Sequence, residues 1–215
     1  MTDADDWARQ TEQQLLDGML AAAPDLGWGA AALGRAAREA GLSPGEADLL
    51  LPNGPRDLAA LLARRHDAEA LEALNAIDPR SLRIRERIVR GLEARLDAAT
   101  QAPEAVRRWS GFLALPQNIP LGLRLAWDSA DTLWRWAGDT ATNENHYSKR
   151  AILAGVLMTA LAVRLASGRE AAAAYVQARV GDVMTFERWK AGLPRGDLGA
   201  KLATALGKMR YGRAS

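Results

Sequence analysis

Apolar residues recur three and four positions apart along most of the chain, in runs broken by Gly, Pro and short polar stretches. None shows strand-like alternation, so each run predicts a helix. The first covers about Asp3 to Ala23, with Trp7, Leu15, Leu16, Met19 and Leu20 as its apolar stripe. Its acidic opening turn suits the positive end of the helix dipole, and Pro24 and Gly27 close it. A second helix ends at Ala40, where Gly41 can take a left-handed cap. Ser43-Pro44-Gly45-Glu46 has capping-box spacing with proline at the first helical position. The two short helices and their tight glycine turn read as a helix-turn-helix.

From Pro55 a helix carrying Leu58, Leu61 and Leu62 extends toward Ile77. Within it His66 sits among Arg64, Arg65, Asp67 and Glu69 and is read as solvated. Asp78-Pro79 predicts the N-cap and first-turn proline of the next helix. In that helix Ile84, Ile88, Leu92 and Leu96 face inward, while Arg80, Arg83, Arg87 and Arg90 form a basic stripe. Glu86 and Glu93 partly balance the stripe, which is read as a solvated face. Pro103 opens a short helix with Trp109, Phe112 and Leu113.

The densest pattern follows. After Leu115-Pro116-Gln117-Asn118-Ile119-Pro120 comes a helix with Leu121, Leu125, Trp127 and Trp134, then a polar turn from Gly138 to Asn145. His146, Tyr147, Lys149 and Arg150 lead into an uncharged run, Ala151 to Val163. Its length falls short of the roughly 20 residues that cross a bilayer. A helix apolar on every side must be enclosed by others, so this run predicts the central rod of an α-helical domain. Beyond Gly168 a helix from about Glu170 to Ala191 presents Tyr175, Val176, Val180, Val183, Met184 and Trp189. Leu193-Pro194-Arg195-Gly196 reads as a hinge, with a terminal stretch to Ser215. There Leu198, Leu202, Leu206 and Met209 share a face flanked by Lys201, Lys208 and Arg210. Such a helix lies in a membrane interface or packs on its own domain. The domain reading is 1–77, a helix-turn-helix-like region; 78–192, a helical bundle; and 193–215, hinge and amphipathic helix.

Composition narrows the functions. The 215 residues are 48% hydrophobic and 25% charged, ordinary for a globular protein large enough to bury a good core. A net charge of +2 argues against bulk nucleic-acid binding. The recognition helix of the helix-turn-helix argues the same way. It offers Glu46, Asp48, Leu49, Leu50 and Leu51, and no cation lies between Arg38 and Arg56. Base edges in the major groove call for Arg, Lys, Asn or Gln, so no nucleic-acid partner is expected. There are no cysteines, hence no disulfide, thiolate site or cysteine nucleophile.

No catalytic pairing, metal motif or cofactor cradle stands out. Gly27, Gly29 and Ala32 match a dinucleotide fingerprint only in spacing, because no strand precedes them. Asp128, Asp131, Arg135 and Asp139 gather charge, and ion pairing explains Asp131 with Arg135. No cofactor, metal or catalytic residue is therefore assigned. The acidic N-terminus, MTDADDW, lacks a signal or transit pattern, which reads as a bacterial cytoplasmic protein with membrane contact only at its periphery.

Leu115 to Pro120, then Trp134-Arg135-Trp136-Ala137-Gly138-Asp139, then Asn145-His146-Tyr147-Ser148-Lys149-Arg150 ahead of an apolar helix resembles a known family. It is similar to the coenzyme Q biosynthesis accessory proteins, lipid binders with a TetR-like helical fold, from about Leu26 to Trp189. The chain departs from that pattern at His146, where the family usually carries Trp, and at Asn143 and Glu144.

The resemblance implies an all-α, TetR-like bundle with a degenerate N-terminal helix-turn-helix and a C-terminal amphipathic helix, working as a homodimer. It implies no enzyme but a carrier that binds an isoprenoid quinone intermediate or other lipid. The carrier would present it to the di-iron demethoxyubiquinone hydroxylase, peripherally on the inner membrane. Trp109, Phe112, Leu113, Leu121, Leu125, Leu153, Val156, Leu157, Leu161 and Met184 are the candidate lipid-binding set, open between a cavity lining and a filled core. Asp131, Leu133, Trp134, His146, Tyr147, Lys149 and Arg150 are the candidate partner surface, open between docking and a structural turn. Leu198, Lys201, Leu202, Leu206, Lys208, Met209 and Arg210 are the candidate membrane contacts. A ligand-sensing TetR-type regulator and a scaffold for biosynthetic enzymes are the alternatives.

Overall fold

Local capping and the spacing of apolar residues set most element boundaries. The structure, a computed structural model, describes the backbone of residues 3–139 and 144–191 and the side chains of residues 6–139 and 147–182. Every regular element among the described residues is helical. Helix α1 spans Asp3–Leu26 and α2 spans Ala30–Glu39. Gly41, at φ +73°, provides the left-handed step out of α2. Helix α3, Pro44–Leu50, opens on a complete capping box: Glu46 N–H donates to Ser43 Oγ, and Ser43 N–H donates to Glu46 Oε2.

Helix α4 runs from Pro55 to Leu74. A 3₁₀ turn, Pro79–Ser81, follows, closed by Arg80 N–H donating to Asp78 Oδ1 at 2.9 Å. Asp78-Pro79 therefore caps this turn and not a long helix. Helix α5 begins only at Ile84 and ends at Ala99, with Glu86 accepting from Arg83 N–H. Helix α6 is Pro103–Leu113, and α7, Ile119–Trp136, follows a second 3₁₀ turn at Pro116–Asn118. Helix α8, Glu144–Ala191, is interrupted at Gly168, whose φ of 86° and ψ of −172° are not helical.

Residues Met1–Gln177 form one compact unit and Ala178–Ser215 a second. In the first, α1 packs on α2 and α6, and α4 packs on α5 and α7. A single hydrophobic cluster draws Leu15, Leu16 and Met19 of α1 together with Leu58 and Leu62 of α4, Trp109 of α6 and Leu125 of α7. Position 77 is thus no break in the packing. Two indoles tie the layers: Trp28 Nε1 donates to Pro55 O, and Trp109 Nε1 donates to Ala59 O. In the second unit, the described residues continue α8 to Ala191, with an Arg179–Asp182 ion pair. Leu198, Lys201, Leu202, Leu206, Lys208, Met209 and Arg210 lie outside the described residues.

Several sequence expectations change. Trp7 and Ile84, each in the opening turns of its helix, are exposed. His66 is 4% exposed and not solvated. It occupies the inner register of α4 with Leu58, Leu62, Ala70 and Leu74, every fourth residue, all buried. Its charged sequence neighbours sit on other faces. The uncharged part of α8 is not enclosed either. Leu153, Val156, Leu157 and Ala160 are buried, while Ala151, Met158, Thr159 and Ala162 face outward. An outer face of mostly small residues exposes little apolar area, so it need not be covered. The stretch Tyr147–Asp182 is long and apolar enough to cross a membrane by composition, with an 18-residue window of mean hydropathy 1.8. The 13-residue estimate from the sequence was too short because it stopped at Arg164. Here Arg164 and Arg169 pair with Asp97 of α5, at 2.8 and 2.6 Å.

His66 carries a measurable consequence. Burial, and then the charges of Arg95 and Arg65, lower its pKa to about 2. An unfolded histidine titrates near 6.5. Between those values the unfolded chain binds a proton that the folded chain refuses, so stability falls as pH falls. From pH 8 to pH 5, before carboxylates matter, the loss is about 2 kcal/mol. Denaturant midpoints across that range are expected to show this slope in the parent and a flat line in His66→Leu.

Candidate functional site

Between α4, α5, α6, α7 and α8 lies a cavity of about 300 Å³. Trp109 and Leu113 of α6, Leu125 and Ala126 of α7, and Leu157 and Leu161 of α8 make most of its apolar wall. At one end the wall is deeply buried: Arg95, Trp109 and Ser129 are almost completely covered. At the other it reaches the surface through Ile119, Leu123 and Met158, which are 46%, 54% and 42% exposed.

The buried end is polar. Arg95 Nε donates to Asp67 Oδ1 at 2.6 Å, and Ser129 Oγ donates to the same oxygen at 2.7 Å. This group joins α4, α5 and α7. Burial pulls the Arg95 pKa down and the Asp67 carboxylate opposes it, so the guanidinium is held charged by its partner. Beside it His66 meets Trp109 edge to face, with ring centroids 6.1 Å apart.

Of the candidate lipid-binding residues, Trp109, Leu113, Leu125, Leu157 and Leu161 line the cavity. Leu121 belongs to the packed core and Phe112 packs against it. Leu153 and Val156 are buried outside the cavity wall. The Met184 side chain lies outside the described residues. The sequence reading did not single out Arg95, Ser110, Ser129, Ile119, Leu123 or Met158. A signal for two of them was present. Ile88, Leu92, Arg95 and Ala99 step by four and three along the inner face of α5, and Leu121, Leu125, Ser129 and Leu133 step by four along α7. A charged or polar residue on such a stripe is placed to meet something buried.

The second cluster joins the end of α7 to the start of α8. Arg150, 2% exposed, reaches both Asp131 and Asp139 through its Nε and Nη1. Lys149 Nζ donates to Asp139 Oδ1 at 2.8 Å and lies 5.2 Å from the Trp134 ring centroid. Trp134 Nε1 in turn donates to Lys149 O at 3.1 Å. Asp131 also meets the exposed Arg135, at 2.7 Å. Burial pushes the Asp139 carboxyl up, but hydrogen bonds from Lys149 and Arg150 and their charges outweigh it and hold the pKa below its usual value. Leu133, Trp134 and Arg150 are therefore enclosed by the chain itself and present no surface to a partner. Tyr147 does: it is 65% exposed and tilts against Trp127, centroids 6.1 Å apart. The His146 side chain lies outside the described residues.

Residues 119–187, which contribute much of both clusters, match the family model described as COQ9. The chain is 31% identical over 156 residues to the mitochondrial ubiquinone biosynthesis protein COQ9 of Rattus norvegicus, covering 70% of this chain and 50% of that one. It is 26% identical over 191 residues to the counterpart in Xenopus tropicalis, covering 82% and 59%. The Homo sapiens protein of that name is 29% identical over 160 residues, covering 70% and 50%. The chain spans about half the length of the curated relatives it matches. Each of these relatives is named as mitochondrial, which overturns the expectation of a bacterial cytoplasm and inner membrane drawn from the N-terminal residues.

Proposed function

The chain belongs to the COQ9 family, and on that premise we propose that it serves ubiquinone biosynthesis as a lipid carrier. It holds an isoprenoid quinone precursor, or a lipid like it, in the cavity between α4 and α8, and it carries out no chemistry on it. The observation behind this reading is the cavity itself: an apolar hollow in a packed bundle, continuous with the surface through Ile119, Leu123 and Met158. Apolar hollows between helices of a bundle are common ligand sites.

The physical reason for a carrier is solubility. A polyprenyl tail stays in the bilayer unless another apolar environment replaces it, and each CH₂ moved out of water is favoured by about 0.8 kcal/mol. The cavity volume of about 300 Å³ bounds what enters. A hollow of about 150 Å³ is enough for benzene, so this one accepts a ring and the first part of a tail, with the remainder at the mouth. Docking of the hydroxylase falls to the exposed Tyr147 on Trp127, since Leu133, Trp134 and Arg150 are enclosed.

Mass spectrometry of lipids extracted from the purified, folded chain is the test. The expected result is isoprenoid lipid in near-stoichiometric amount. A folded preparation that carries none, and takes none up from vesicles, would count against the carrier.

A further inference from the structure

The cavity is apolar along most of its wall, but its covered lining includes hydrogen-bond donors with no acceptor among the described residues. Ser110 borders the cavity, and its Oγ is buried with no partner among the described residues. Arg95 also borders it; among the described residues only its Nε finds an acceptor, Asp67 Oδ1. A guanidinium has five N–H donors in a fixed plane. A buried hydroxyl without a partner is costly, and such groups in native structures call for an explanation.

We propose that this end recognises the polar head of the ligand: a neutral ring bearing carbonyl or ether oxygens, bound head inward, with its tail leaving past Leu123 and Met158. The inference rests on the carrier reading and adds the ligand's orientation and the side chains that meet its head.

The choice of a neutral head follows from charge. Asp67 already cancels Arg95 at 2.6 Å, and burial keeps the neighbouring His66 neutral at physiological pH. The inner end therefore supplies donors without net positive charge. A phosphate or carboxylate there would be a buried anion opposite a pair already balanced, which costs far more than it gains. A carbonyl or methoxy oxygen needs only a donor. Orientation follows from size and exposure. Arg95 and the Ser110 Oγ are covered, whereas Ile119, Leu123 and Met158 are open to the surface and suit a hydrocarbon chain.

Ser110→Ala is the informative variant, because it removes a hydroxyl that has no partner among the described residues and so should leave the unfolding midpoint no lower than the parent's. Arg95 variants would leave Asp67 unpaired and confound the result. Three probes, each with a ten-carbon tail and delivered from cyclodextrin, are titrated by calorimetry: a dimethoxybenzoquinone, a plain phenyl ring and an alkyl phosphate. The quinone is expected to bind tightest. Ser110→Ala should weaken the quinone about threefold to tenfold, the worth of one neutral hydrogen bond, and leave the phenyl compound unchanged. If quinone and phenyl compound bind alike and Ser110→Ala affects neither, head recognition is wrong while the carrier stands. If the phosphate binds tightest, the neutral-head assignment is overturned. If no probe binds, the carrier reading fails and takes this inference with it.

Discussion

Arg150→Met is expected to destabilise the unit Met1–Gln177 by about 3 kcal/mol, the lower part of the range for breaking a buried ion pair by removing one partner. Arg150 bridges Asp131 on α7 and Asp139 just beyond it, and its own side chain is 2% exposed. Without it both carboxylates stay in place, with Lys149 and Arg135 as partial compensation. Against a total stability of about 5–15 kcal/mol, that loss is large. Arg135→Met is the matched control. It removes an exposed partner of the same Asp131, side chain 74% exposed, and should cost no more than about 0.5 kcal/mol. Urea denaturation of the two variants checks both figures, and equal losses would mean that the Arg150 bridge is not the fastening described here. Loss of partner binding in an Arg150 variant would report this damage and not a lost contact. Tyr147→Ala is the variant that tests docking: its midpoint should hold while hydroxylase capture falls.

The second large effect separates folding from cavity use. Leu157→Glu places a carboxyl among apolar atoms at a position that is 5% exposed. Its ionised form lacks a partner there, so the group either protonates or unfolds its surroundings. Both stability and lipid load should fall, the load at least tenfold. Ala126→Phe acts on the same space in the opposite way. Its ring would occupy much of a hollow of about 300 Å³, and filling a void commonly stabilises. Stability should hold or rise while the lipid load falls as far as in Leu157→Glu. If Ala126→Phe folds and still carries a full load, the lipid sits elsewhere on the chain.

Much of the architecture was legible because it depends on local chemistry. The Ser43–Glu46 capping box and the left-handed Gly41 are set by residues three or four apart, and both occur where the sequence places them. The inner stripes of α5 and α7 were legible as periodicity, although Ile84 lies beyond the packed part of its stripe. His66 was misread because its neighbours are charged. In a helix the residues four away decide burial, and here they are Leu62 and Ala70. Helix α8 departs from expectation for a related reason: a run without charge need not be buried, and a face of mostly small residues can meet water. Arg95 and Ser129 were legible only as polar residues on inner stripes; their meeting at Asp67, 28 and 62 residues away along the chain, arises only through tertiary packing. The sequence grouped Asp131, Trp134, Tyr147 and Arg150 as one surface. The family resemblance placed them together, but only side-chain direction divides them into fastening and exposed face.

On the proposed carrier reading, the hollow between α4 and α8 is the place where the lipid sits. An electron-density map of the chain purified with its lipid tests it most directly. The expected map shows a ring-shaped feature beside Arg95, Ser110 and Trp109, with a tail running between Leu125 and Leu157 and out past Leu123. A map in which side chains fill that space, or in which the bound lipid lies on the outer face of α8 instead, would contradict it.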